Sequence, residues 1–338
     1  MAKPILKWAG GKRQLLDELY RRFPESYDPT EHAFHEPFLG GGALFFDHEP
    51  TSGTINDINV RLWNLYIQVR EHPTDLITLL DMENGSFKDP EADPNPSQAY
   101  ADTRRVKKTK TGKPKKEKKT KNFYYQQREL FNRRPNGEGF DPLVEAAQLV
   151  YLNRTCFNGL YRENSDKEFN VPIGRYANPN WDRRDSIREA SRVLNQIPIE
   201  HIHNDSFEYV LDVAEEGDLV YFDPPYEPMS PTANFAEYSA GSFEKEDQEK
   251  LLDVTKKLDD RGVHIILSNS GVMYDFYDEA GFHVETEGAT RSINSDGENR
   301  DEVEEIIATN VAPSDRSASP EKFSASTQSR QASLGDLT

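Results

Sequence analysis

The sequence predicts an α/β protein built on a doubly wound sheet, because strand and helix patterns alternate at both ends of the 338-residue chain. Near the N-terminus, an extended run at 33–38 leads through Gly40 to Gly42 into a helix that begins at Ala43, and a second strand follows at 53–57. The alternation returns in the last third of the chain. The elements predicted there are strands at 199–203, 218–222, 263–268 and 303–309 and a helix at 244–261.

The middle of the chain breaks this alternation and predicts an inserted, mainly helical unit. A helix at 60–70 places Leu62, Leu65, Tyr66 and Val69 on one face, and helical periodicity resumes at 143–151. Residues 84–121 have almost no large apolar side chain, which predicts an exposed, flexible insertion. The predicted division is a sheet domain at 1–60 and 199–312, an inserted domain at 61–198 and a Ser-rich, disordered tail at 313–338.

Composition excludes several classes of protein. The single cysteine, Cys156, rules out an internal disulfide framework, and no Cys/His spacing predicts zinc or an iron–sulfur cluster, so we expect no metal. The N-terminus lacks the apolar core of a signal peptide, and no stretch reaches the roughly 18 apolar residues of a membrane span. We therefore expect a soluble protein in a reducing cytoplasm.

Charge is the unusual feature of the composition. The 59 acidic and 41 basic residues give a net charge of −18, a poor match for a polyanion. Residues 104–121 hold eleven Lys or Arg and one Glu, so this segment carries +10 and the rest of the chain carries −28. A surface this acidic predicts a protein that works in molar salt, from an extreme halophile or its virus, although an ordinary acidic protein is the alternative.

A glycine-rich turn at 36–42 is the first motif that carries chemistry. It follows a strand and precedes a helix, and Gly40 and Gly42 allow the backbone to approach a nucleotide-like ligand closely. Asp57 ends the next strand about twenty residues later, where an acid can accept hydrogen bonds from ribose hydroxyls. The alternatives are a tight packing turn and an Asx cap on the helix after Asp57.

A second motif, Tyr221-Phe222-Asp223-Pro224-Pro225-Tyr226, runs from an apolar strand into two prolines. Because Pro-Pro cannot continue the strand, Asp223 is predicted at its carboxyl end, where open α/β sheets bind ligands. The Asp223 carboxylate and the Pro224 carbonyl offer two acceptors, and Tyr226 offers a flat face. This set suits the exocyclic amine of a base rotated out of a duplex, whereas a simple strand-ending turn is the alternative.

These motifs and several others resemble, in order, those of the Dam-type (D12 class) site-specific DNA adenine N6-methyltransferases. The similar segments are 7–12, 36–42, 56–59, 151–154, 158–162, 169–176, 223–226 and 232–235. The resemblance covers about residues 3 to 311, except for the basic insertion. Several motifs in the same order are very unlikely to coincide by chance.

The resemblance implies a Rossmann-like S-adenosylmethionine-dependent methyltransferase sheet with an inserted, mainly helical DNA-recognition domain that carries a β-hairpin. It also implies methyl transfer from S-adenosylmethionine to N6 of adenine in double-stranded DNA, within GATC, by base flipping and direct in-line transfer. The residues implied at the donor site are Trp8, Lys12, Phe38, Gly40, Gly42, Asp57, Asp205, Phe207 and Asp223. Asp223, Pro224, Pro225 and Tyr226 are implied in catalysis, and Asn158, Leu160, Arg162 and Pro172 in reading the target.

Alternatives stand beside each of these expectations. Methylation of a glutamine amide or of RNA uses a related motif that usually begins with Asn rather than Asp, and a DNA-binding protein without catalysis is the non-enzyme alternative. Arg162 suits a guanine edge, but an ordinary phosphate clamp is possible. The chain departs from the family in its acidic charge, and its lysine-rich insertion is either a nonspecific tether to DNA or a charge-balancing spacer.

Overall fold

The computed structural model describes residues 2–81, 123–134, 140–176, 179–226, 243–289 and 303–325. Its seven strands form one sheet in the order β3-β2-β1-β4-β5-β7-β6. The strands are β1 Phe34–Glu36, β2 Gly53–Asn56, β3 Ile202–His203, β4 Leu219–Phe222, β5 His264–Ser270, β6 His283–Ala289 and β7 Val303–Thr309. The predicted α/β sheet is confirmed.

The first five strands pair in parallel, whereas β7 runs antiparallel to both β5 and β6. The chain builds outward from β1 through β2 to β3 and then returns to place β4 on the other side of β1. The strand order therefore reverses between β1 and β4. In open α/β sheets, the crevice outside the carboxyl ends of the strands at such a point is where ligands bind.

Ten α-helices occur in the described residues, and caps on several of them explain where they begin. The helices are α1 Leu16–Tyr20, α2 Ala43–His48, α3 Val60–Glu71, α4 Pro73–Leu80, α5 Phe123–Asn132, α6 Pro142–Thr155, α7 Arg184–Leu194, α8 Val210–Val213, α9 Lys245–Asp259 and α10 Tyr274–Asp278. The Asn59 side chain caps α3, and Asp141 caps α6 directly before a proline. A capping box of Glu244 and Asp247 begins α9.

The inserted helices share a core with part of the sheet. Helix α3 packs against α6 and α7, and α6 also contacts α4 and α5. One cluster of buried apolar side chains continues from these helices to Phe34 on β1 and Ile55 on β2, and a second cluster lies between β4, β5, β7 and α9. The domain limits at residues 60 and 198 stay a prediction.

Several predicted strand limits need correction, and one strand was omitted. The run predicted at 33–38 is a strand only at Phe34–Glu36, and the strand predicted at 263–268 is His264–Ser270. The strand predicted at 199–203 is only Ile202–His203, because β2 offers it only Ile55 and Asn56 as partners, and Ile199–His201 form a 3₁₀ turn after Pro198. The strand predicted from residue 218 begins at Leu219, since the Asp218 carboxylate instead accepts the backbone N–H groups of Ala33 and Glu215. Strand β6 was not predicted.

The prediction of disorder from residue 313 onward is wrong for residues 313–325. Phe323 is buried, with its ring 5.0 Å from that of Phe23 and 5.9 Å from that of Tyr27. The Ser324 hydroxyl donates to the Asp47 carboxylate at 2.7 Å. One buried aromatic side chain thus holds a Ser-rich segment against the sheet domain, whereas 326–338 and the 84–121 insertion lie outside the described residues.

Among the helices described, none has the length and apolar composition needed to cross a bilayer.

Candidate active site and recognition hairpin

The two motifs meet where the strand order reverses. Strands β1 and β4 are neighbours, so the glycine turn after Glu36 lies beside the segment 223–226 that follows β4. Gly40 and Gly42 both have positive φ angles, 49° and 65°. A Cβ atom at Gly40 would lie 2.9 Å from Cδ1 of Trp8, so only glycine lets the indole rest on the turn in this backbone conformation.

Asp57 holds the glycine turn in place. Its Oδ2 accepts the Gly40 N–H at 2.9 Å and its Oδ1 accepts the Asn59 N–H at 2.8 Å. The Tyr66 hydroxyl donates to the Gly40 carbonyl at 2.6 Å on the other side of the turn. Burial raises the pKa of Asp57 to about 6. Asp57 therefore forms an Asx turn before α3 and also joins the ends of β1 and β2, so it lies where a ribose could reach it.

An aromatic group lies next to the turn. The Phe38 ring is 5.2 Å from Phe207 and 5.6 Å from Phe243, and Phe207 and Phe243 are 5.9 Å apart. Asp205 is exposed beside them, and the Asn56 side chain fixes its backbone by accepting the Asp205 N–H at 2.8 Å. These aromatic faces, together with the nearby carboxylates of Asp57 and Asp205, fit an adenosyl group, which needs a flat apolar contact and acceptors for hydroxyl and amine hydrogens. Phe243 was not predicted because no motif surrounds it.

Asp223 is paired with Lys12. The Lys12 ammonium lies 2.8 Å from Asp223 Oδ1, donates to the Gly10 carbonyl at 2.6 Å and lies 4.6 Å from the centre of the Tyr226 ring. The Lys12 side chain is 3% exposed and that of Asp223 is 22% exposed. Burial raises the pKa of Asp223 to about 6 although the Lys12 ammonium acts in the opposite direction. The structure thus pairs Lys12, predicted at the donor site, with Asp223, predicted both at the donor site and in catalysis.

Two further carboxyl groups lie at this corner and had no predicted role. Glu36 is buried at the end of β1, and its Oε2 accepts the Phe45 N–H at 3.0 Å. Burial, reinforced by the charge of Asp223, raises the pKa of Glu36 well above its ordinary value. Glu305 on β7 accepts the Tyr226 hydroxyl at 3.0 Å. Of the two prolines after Asp223, Pro224 is buried and Pro225 is exposed.

The predicted recognition residues lie together on a hairpin. Antiparallel bridges join Cys156 to Ile173 and Glu163 to Phe169. Within it, Arg162 Nε donates to Asn170 Oδ1 at 2.6 Å, and the Asn170 N–H donates to the Arg162 carbonyl at 3.0 Å. Of the other three predicted residues, Asn158 has a left-handed backbone conformation. Leu160 is partly buried against the core, and Pro172 is exposed.

The base of the hairpin is attached to the segment that carries Lys12. Asn153 on α6 is fully buried, accepts the Lys7 N–H at 2.8 Å and donates to the carbonyls of Lys7 at 2.8 Å and Gly159 at 3.0 Å. The Trp8 ring lies 5.1 Å from the Tyr161 ring. These contacts place the segment that carries Trp8 and Lys12 against the hairpin.

Comparison with known proteins agrees with this geometry. The family model for D12 class N6 adenine-specific DNA methyltransferases matches residues 8–306. The chain is 37% identical to the type II methyltransferase M1.LlaDCHI of Lactococcus lactis over 310 residues, which cover 91% of this chain and 95% of the relative. It is 35% identical to the type II methyltransferase M.MjaIII of Methanocaldococcus jannaschii, over 91% of this chain and 99% of the relative. It is 32% identical to the DNA adenine methylase of Escherichia coli K12, over 90% and 94% respectively.

These matches span the sheet strands, the glycine turn, the segment 223–226 and the hairpin, and they confirm the predicted methylation of adenine N6 in DNA and its methyl donor. The chain belongs to the D12 class of N6 adenine-specific DNA methyltransferases, and it is an enzyme that transfers a methyl group from S-adenosylmethionine to adenine N6 in DNA.

Proposed function

We propose that this enzyme methylates the adenine of GATC in duplex DNA and that Asp223, Pro224 and Tyr226 receive the adenine after it rotates out of the helix. The observation that supports this proposal most strongly is the Asp223 carboxylate, held by Lys12 at 2.8 Å beside the Tyr226 ring at the carboxyl end of β4. Ligands of open α/β sheets bind at this edge.

The donor site lies on the β1 side of the same edge. S-adenosylmethionine supplies a methyl group already activated by its sulfonium. Asp57 would accept its ribose hydroxyls, Asp205 would approach the adenine amine, and Phe38 and Phe207 would cover the adenine ring. The Gly40 to Gly42 turn lets the backbone approach the bound molecule, and Trp8 packs on that turn. These roles rest on the fit of acceptors and aromatic faces described above.

Asp223 and Pro224 act on the nucleophile. The carboxylate of Asp223 and the carbonyl of Pro224 would accept the two hydrogens of the adenine amine, which turns its nitrogen lone pair toward the methyl group. As the new bond forms, positive charge develops on N6, and an acceptor carboxylate stabilises that charge. Because the pKa of Asp223 is about 6, the carboxylate is ionised near neutral pH and above.

Tyr226 contributes a flat surface for the extruded base. Its hydroxyl is held by Glu305, and the Lys12 ammonium lies against one face of its ring. Stacking of the adenine on an aromatic ring offsets part of the cost of unstacking, which is a few kcal/mol. The ring is fixed before the base arrives, so little side-chain entropy is lost on binding.

The hairpin reads the target in this proposal. The hydrogen bond from Arg162 Nε to Asn170 fixes the plane of the guanidinium, and a planar fork can bond O6 and N7 of a guanine together. Leu160 and Pro172 would contact base edges through apolar surface, and Asn158 would contact the DNA from the turn at the hairpin base. The family's reading positions motivate these assignments.

The test is a methyl-transfer assay in high salt with a trideuteromethyl donor and two duplexes that differ only by one base of GATC. Mass spectrometry of the digested nucleosides should find labelled N6-methyladenine in the GATC duplex and far less in its partner. Sequencing of modified bases in DNA from a methylation-deficient host that expresses the protein extends the test to all sequences. N6-methyladenine found only outside GATC would overturn the assigned target, whereas no N6-methyladenine at any sequence would overturn the catalytic site.

A further inference from the structure

Glu305 lies outside every motif, yet its side chain reaches the Asp223 corner. It is near the start of β7, the antiparallel strand, and pairs in register with Ser270 at the end of β5. The amino end of β7 therefore lies at the same sheet edge as the carboxyl ends of the parallel strands. Glu305 is 5% exposed, so its carboxyl group is removed from bulk water.

The Glu305 side chain contacts both Tyr226 and Lys12, the two residues that lie beside Asp223. The Tyr226 hydroxyl donates to its Oε2 at 3.0 Å, and the same oxygen lies 3.9 Å from the Lys12 ammonium. Lys12 in turn pairs with Asp223 and lies over the Tyr226 ring. The Lys12 ammonium thus lies near two carboxylates, those of Asp223 and Glu305. The hydroxyl of Tyr226, the proposed stacking residue, is hydrogen-bonded to Glu305.

A buried carboxylate is costly unless charge and hydrogen bonds compensate it. Glu305 receives a hydrogen bond from Tyr226 and lies near the positive charge of Lys12. Its own negative charge acts to raise the pKa of Asp223, against the effect of Lys12. Among the described residues, the other ionisable groups near Glu305 are Tyr221, whose pKa its charge acts to raise, and Glu287, which is opposite it in the β6 register and is itself paired with Arg22. No carboxylate of the described residues besides Asp223 and Glu305 pairs with Lys12.

We propose that Glu305 is a positioning residue for methyl transfer, which anchors the Tyr226 ring through its hydroxyl and shares Lys12 with Asp223. This inference rests on the proposed roles of Asp223 and Tyr226. Glu305 holds the stacking surface and the acceptor carboxylate at a fixed separation, and its negative charge acts to raise the pH at which Asp223 ionises.

Glu305→Gln separates the two parts of this role. The amide oxygen can still accept the Tyr226 hydroxyl, so the single-turnover methylation rate on the pH plateau should stay within about threefold of wild type. The lost charge no longer raises the pKa of Asp223, so the acidic limb of the pH–rate profile should move to lower pH. A change that only loosened the fold would not move this limb in that direction.

Glu305→Ala removes both charge and acceptor, and we expect the single-turnover rate to fall by about 10 to 100-fold. Tyr226→Phe keeps the ring but loses the hydroxyl, so it should add little to the loss in the Glu305→Ala background. Binding of S-adenosylhomocysteine, measured by calorimetry, should change less than about twofold in all three variants, which shows that the folded donor site is intact.

The inference would be overturned by wild-type rates and an unmoved acidic limb in both Glu305 variants, or by fully additive losses in the double variant. Asp223→Ala, measured in parallel, separates the two proposals. If Asp223→Ala is inactive while the Glu305 variants behave as wild type, only the role of Glu305 is lost. If Asp223→Ala is as fast as wild type, the proposed function itself fails.

Discussion

Replacement of Lys12 by methionine tests the electrostatics of the site. The ammonium lies 2.8 Å from the Asp223 carboxylate in a buried corner, and the pKa of Asp223 is about 6 with this cation in place. Loss of an opposite charge at such a distance raises a carboxyl pKa by about 1–3 pH units. A rise of about two units would reduce the ionised fraction of Asp223 at pH 7 from roughly nine-tenths to roughly one-tenth. We therefore expect about tenfold slower methyl transfer at pH 7 and recovery toward pH 9.

The assay is single-turnover methylation of a GATC duplex across pH at saturating donor, so that weaker donor binding does not contribute. Lys7→Met makes the same substitution in the same segment, but Lys7 contacts Tyr176 rather than Asp223, and its acidic limb should match that of wild type. Equal acidic limbs in Lys12→Met and wild type would refute the conclusion that Lys12 keeps Asp223 ionised. A uniform loss at every pH would assign Lys12 to the geometry of the site alone.

Three further predictions concern the donor, the target and salt. Ionised Asp57 is the better acceptor and its pKa is about 6, so calorimetric binding of S-adenosylhomocysteine should weaken as pH falls through about 6, and Asp57→Asn should bind weakly without this dependence. Arg162→Ala should lower discrimination at one guanine of GATC by about 1–3 kcal/mol in competition binding, with little change for unrelated DNA; an equal loss on both would indicate a phosphate clamp. With −28 charges outside the basic segment 104–121, the thermal midpoint of unfolding should rise into molar salt, and a flat or falling midpoint would contradict the halophile interpretation.

Local sequence patterns predicted the parts of the fold that depend on local chemistry. The glycine turn, the Pro-Pro strand end and the amphipathic helix α3 are each encoded by a few adjacent residues, and strand β7 was predicted at its observed limits. Strand β6 was missed because Glu285 and Glu287 give it a polar pattern. Their charges are compensated by Arg22 and Arg316, which are distant in sequence. The structured segment before residue 326 was missed for a similar reason, since one buried aromatic, Phe323, decides its order.

For the site, as for the fold, sequence motifs predicted the residues but not the contacts between distant parts of the chain. Motifs located Asp57 and Asp223 at strand ends, and a parallel sheet brings such ends together. They did not show that Lys12 pairs with Asp223, nor that Glu305 reaches Tyr226 from 79 residues away. Such contacts depend on strand order and side-chain direction, which local patterns do not encode. The buried Asn153 that joins the donor segment to the hairpin belongs to this group as well.

The most direct test of the account is the single-turnover transfer of a trideuteromethyl group by Asp223→Ala and wild type at saturating donor, with duplex binding measured on the same samples. The account predicts labelled N6-methyladenine from wild type, a loss of at least about 10²–10³-fold in rate for Asp223→Ala, and duplex affinity within about threefold of wild type, because the side chain acts on the reacting amine rather than on the core. A rate in Asp223→Ala equal to that of wild type would contradict the central claim.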